Sequence, residues 1–78
     1  MKFEARRNDN VLFYGEIRGG RIQMSGPGEF AADGTVEANG RIQLWAGRKL
    51  FATGHMEDRG RIDFLDLAGT AYQGQASD

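Results

Sequence analysis

The stretch that decides the fold is Gly54-His55-Met56-Glu57-Asp58-Arg59-Gly60-Arg61-Ile62-Asp63-Phe64. Apolar and polar residues alternate on both sides of Asp58-Arg59-Gly60, the pattern of two half-buried strands joined by a short turn. With Gly60 in the left-handed position of a three-residue loop, Glu57 faces Arg61, Met56 faces Ile62, His55 faces Asp63 and Gly54 faces Phe64. A slip of one residue would turn every apolar side chain to the wrong face, so the alternation fixes this pairing. A large side chain over a cross-strand glycine supports it further.

The motif recurs. Gly20-Arg21-Ile22-Gln23-Met24 and Gly40-Arg41-Ile42-Gln43-Leu44 precede Gly60-Arg61-Ile62-Asp63-Phe64 at a spacing of 20 residues. Two short strands with their turns fill that spacing, which is the period of a β-meander. Ala38-Asn39-Gly40 gives a second hairpin of the same design, with Val36 facing Ile42 and Gly34 facing Leu44. Gly19-Gly20 fits a two-residue turn that sets Ile17 opposite Ile22. Around these hairpins, Phe3 and Ala5 mark an opening strand that turns at Asn8-Asp9-Asn10, and Val11 to Arg18 a second strand. Gly26-Pro27-Gly28 is a loop, and Glu29 to Ala32 reads equally as connector or strand. Gly47-Arg48-Lys49 is a turn, and Thr70 to Gly74 is a last strand before a frayed end.

Composition agrees. Twelve glycines against one proline, spread from Gly15 to Gly74, leave no room for a long helix. The 78 residues make one domain, 1–78, near the size limit at which a core alone suffices. The expected fold is all-β: a small antiparallel β-meander of about seven or eight short strands, closing into a barrel or a two-layer sandwich. Without cysteine there are no disulfides or thiolate metal sites. No apolar run approaches membrane-spanning length, and Met1 to Arg7 contains no apolar leader core, so the expected location is cytoplasmic.

The inner face reads Val11, Phe13, Ile17, Ile22, Met24, Val36, Ile42, Leu44, Leu50, Ala52, Met56, Ile62 and Phe64. The opposite face should be polar, and in one region it is not. Trp45 and Phe51 fall on it together, Leu65 and Leu67 beside them, and Leu12 and Tyr14 point outward on the second strand. These residues are either a second small core or a surface for a partner. The partner-binding candidates are therefore Trp45, Phe51, Leu65, Leu67 and Tyr14.

Alternate turns of a meander fall at one end, so Arg18, Arg21, Arg41, Arg59 and Arg61 should share a rim, provided residues 26–33 make a single connection. Such a rim is an anion-binding candidate, weighed against exposed cross-strand pairs such as Glu37–Arg41 and Glu57–Arg61. His55 opposite Asp63 is half of a catalytic triad, but no activated nucleophile accompanies it. One imidazole and one carboxylate do not complete a metal shell. No catalytic residue, metal or cofactor is expected.

The net charge of −1 argues against bulk nucleic-acid binding. The expected function is non-enzymatic binding or assembly through protein–protein contacts, with itself or another protein. Small glycine-rich chains of this kind include inhibitors and structural parts of phage and mobile elements. The alternative is a barrel that binds single-stranded nucleic acid through the arginine rim and outward aromatics, with Tyr14, Trp45, Phe51 and Arg41 expected to share a face.

Overall fold

The computed structural model describes residues 1–78 and consists of strands and turns alone. Its eight strands are β1 (Lys2–Arg7), β2 (Leu12–Arg18), β3 (Arg21–Ser25), β4 (Ala31–Val36), β5 (Arg41–Ala46), β6 (Lys49–Met56), β7 (Arg61–Asp66) and β8 (Ala71–Ser77). Each pairs antiparallel with the next, and β8 pairs with β1, so the meander closes into a barrel. Closure leaves no free edge.

The three hairpins pair as the alternation requires: Ile17 with Ile22, Val36 with Ile42, and Met56 with Ile62. Gly40 and Gly60 close their loops at φ of 92° and 84°, a conformation that glycine adopts without strain. The carbonyls of Gly20, Gly40 and Gly60 accept hydrogen bonds from the amides of Val36, Met56 and Ala76. Each turn is thereby tied to the next even strand, β4, β6 or β8. The repeat is thus a structural unit of one odd and one even strand, and β1–β2 is its diverged first copy.

The interior is filled rather than hollow, as expected of an eight-stranded barrel of this size. Fourteen apolar residues are buried, and no polar residue joins them. Each even strand carries a glycine at mid-height: Gly15, Gly34, Gly54 and Gly74. At Gly54 a Cβ would collide with the Asp63 carbonyl and with Phe64, so the strands meet more closely than any side chain permits. Below this girdle, sizes compensate across each pair. Met24 and Leu44 face Ala32 and Ala52, while Ala5 faces Phe13. Phe64 instead stacks on Tyr72, with ring centroids 4.8 Å apart and planes 15° apart.

Three expectations change. Residues 75–77 do not fray: β8 runs to Ser77, pairs with β1 and buries Ala76. Glu29 to Ala32 divides, with β4 starting at Ala31 as one strand, so 26–30 is the single connection that the rim required. The β5–β6 turn is the largest departure. It closes over Gly47-Arg48, pairing Ala46 with Lys49 and Trp45 with Leu50, yet Leu44 still faces Ala52. Phe51 is the extra residue of a bulge, and a bulge re-aims its side chain. Phe51 turns inward onto Phe30 and Tyr72, and Leu50 takes the outward place beside Trp45.

Candidate functional site

The filled interior leaves the outer wall and the two ends as the places where a partner can be met. On the wall of β5–β7, Trp45 and Leu65 remain 40% and 53% exposed, and Leu67 just beyond is 72% exposed. Register connects them. Trp45 lies beside Leu50, Leu65 lies beside Thr53, and the Leu67 amide donates to the Phe51 carbonyl at 3.1 Å. The apolar candidates on this wall are therefore Trp45, Leu50, Leu65 and Leu67. Phe51 leaves the group because the bulge turns it, half-buried, against the core. Tyr14 leaves it because β2 is three strands from β5 around the barrel. Leu50 was missed for the reason that misplaced Phe51: one extra residue inverts which of two neighbours points out.

The turns at 19–20, 38–40 and 58–60 all lie at one end, with Arg18, Arg21, Arg41, Arg59 and Arg61 around it. They do not converge. In a closed ring of eight strands, the β2–β3 turn and the β6–β7 turn lie on opposite sides. Three of the guanidiniums also have carboxylate partners: Arg18 with Glu16 at 2.6 Å, Arg41 with Glu37 at 3.7 Å, and Arg61 with Asp63 at 3.3 Å. Arg61 thus pairs along its own strand rather than with Glu57. All three pairs are solvent-exposed and contribute little to stability. His55 does lie opposite Asp63, flanked on its other side by Arg41. The Asp63 carboxylate is engaged by Arg61. The face that would have joined Tyr14, Trp45, Phe51 and Arg41 for stacking bases does not form.

At the opposite end, Arg7, Asp9 and Tyr72 are shifted from their ordinary values. Arg7 donates two hydrogen bonds to Asp9, at 2.7 and 2.8 Å, and its guanidinium lies 5.6 Å from the centre of the Phe13 ring. The Asp9 carboxyl is held below the usual range chiefly by that Arg7 contact. Asp66 accepts hydrogen bonds from the amides of Ala68 and Thr70 and from the Tyr72 hydroxyl. The Tyr72 phenol is pushed up by burial first and by Asp66 second, with Arg7 opposing. These groups brace the end of the barrel against the aromatic cluster. No group of three or more potential metal-ligating side chains occurs, and no helix is long and apolar enough to cross a membrane.

No protein-family model matches the chain, and no match was found among curated proteins or solved structures.

Proposed function

We propose that this protein is a non-enzymatic assembly module that associates with a second copy of itself through the Trp45, Leu50, Leu65 and Leu67 wall. One observation carries the reading: the core is complete without these side chains, yet Trp45, Leu65 and Leu67 remain exposed together, with Leu50 half-buried beside them, on one side of a barrel that has no open strand edge. Apolar residues with no duty inside, gathered around an exposed tryptophan, have the character of an interface core. A two-fold contact needs a self-complementary surface. Asp33 flanks Trp45 on one side, and Lys49 precedes Leu50 on the other, so each copy offers both charges at the margin.

Light scattering over a concentration series tests the reading. The expected result is a multimer that Trp45→Glu converts to a monomer while the β-type circular dichroism persists. A wild-type monomer at every concentration would overturn self-association. Loss of β-structure in Trp45→Glu would put Trp45 in the fold instead, and Leu65→Glu then reads the same wall without touching Trp45.

A further inference from the structure

The wall opposite the apolar one has a different chemistry. An open groove of about 830 Å³ runs over β1 and β2 and the adjoining faces of β8 and β3. Small residues back its floor on β8 and β1. Ala5 faces Gly74 there, and a Cβ on Gly74 would meet the Glu4 carbonyl and the Ala5 backbone, so β8 and β1 lie unusually close. Gly15 next to Phe3 repeats the arrangement one strand on.

Tyr14 stands in this groove with 54% of its surface exposed. Glu4 and Ser25 are its cross-strand neighbours, and Gln23 and Gln73 line the two margins. No intramolecular hydrogen bond or ion pair occupies the polar ends of Glu4, Gln23 or Gln73; of the neighbouring side chains, Arg6 reaches Asn10, Gln75 reaches Arg59, and Glu16 holds Arg18. The charges that line the groove cancel, Lys2 and Arg6 against Glu4 and Glu16.

We infer that this groove binds an uncharged saccharide, with Tyr14 as its platform. Carboxamide and hydroxyl groups donate and accept together, as sugar hydroxyls do. A tyrosine offers an apolar ring face with a polar rim, which suits the C–H face of a pyranose with hydroxyls at its edge. The other ligand classes fit poorly. A phosphate chain would meet Glu4 and Glu16. A peptide bound as an added strand needs a sheet edge, which the closed barrel lacks, and a polyproline segment needs more aromatic lining than Tyr14 alone provides. A lipid would need more apolar lining than Tyr14 and Leu12 provide.

The test is titration of ¹⁵N-labelled protein with cellohexaose, chitohexaose and maltohexaose, followed by amide shifts. At least one saccharide should move the amides around Tyr14, Gln23 and Gln73, in a saturable way. Tyr14→Ala should weaken that binding roughly tenfold, while Tyr14→Phe, which keeps the ring face, stays within about threefold of wild type. Unmoved groove amides with all three sugars would overturn the inference. So would a folded Tyr14→Ala variant that binds as wild type does, or groove shifts produced only by an oligothymidylate control. The readout is independent of self-association, because the groove lies on β8–β3 and the apolar wall on β5–β7.

Discussion

At one end of the barrel, three loops close in a common way, each around a glycine whose carbonyl is tied to the next even strand. At the other end the β1–β2 and β7–β8 loops share one three-residue pattern around Asn10 and Gly69, the other two connections differ from it, and side chains add to the closure: Phe13, Phe30, Phe51, Phe64 and Tyr72 in a connected cluster, with Asp66 and Arg7 at the margin. The first end is specified by backbone conformation, which repeats with the sequence. The second adds packing, which need not repeat, and there a change in one residue can be offset by the size of its neighbour.

The sharpest way to break this contrast is to attack the part that repeats. Gly54 has no room for a side chain, because its Cβ position is occupied by the Asp63 carbonyl and Phe64. Gly54→Val should cost about 5 kcal/mol or more, which is comparable to the whole stability expected of a chain this small. Loss of the cooperative thermal transition would be the result. Gly47→Ala is the control. Its φ of 64° strains an alanine, yet nothing lies within 4 Å of the added carbon. That variant should lose only about 1 kcal/mol. Equal losses in the two would mean that close approach within the barrel is not what the strand glycines serve.

The same division explains what could be read in advance. The hairpins around Gly40 and Gly60 were legible to the residue because turn glycine, cross-strand isoleucine and covered glycine all lie within a dozen positions. The rim of turns followed from them. The β5–β6 connection was not legible. A two-residue turn with a bulge and a three-residue loop without one give the same pairing at Leu44 and Ala52, and differ only in whether Leu50 or Phe51 points inward. That choice is made by Phe30 and Tyr72, which are distant in sequence. The partner patch was correspondingly half legible: Trp45, Leu65 and Leu67 stay out, Phe51 goes in, and Tyr14 belongs to another wall.

Phe51 therefore gives the second test, one that separates packing from surface. Phe51→Ala should destabilise the barrel by about 3 kcal/mol, as expected for an aromatic side chain removed from a packed cluster. Leu65→Ala, on the exposed wall of the adjacent strand, should stay within about 0.5 kcal/mol. Urea midpoints at constant slope measure both. Should the two variants melt alike, the inward turn of Phe51 is wrong and the aromatic end is not closed by packing.

The smallest effect concerns pH, and it should act at one end only. The aromatic end holds a buried phenol, and the glycine end buries no titratable group. Burial and Asp66 raise the Tyr72 phenol above its ordinary value. A proton held more tightly in the folded state than in the unfolded one stabilises the fold fully at pH values below the unfolded phenol pKa of about 10. That contribution is lost as pH rises from there through the folded value. Wild-type stability should therefore fall as pH rises above about 10, and Tyr72→Phe should flatten that fall. The substitution removes the hydroxyl yet keeps the ring stacked on Phe64, and Asp66 retains its bonds from Ala68 and Thr70. An alkaline loss that is just as steep in Tyr72→Phe would show that the buried phenol does not carry the sensitivity, and the two ends would then respond to pH alike.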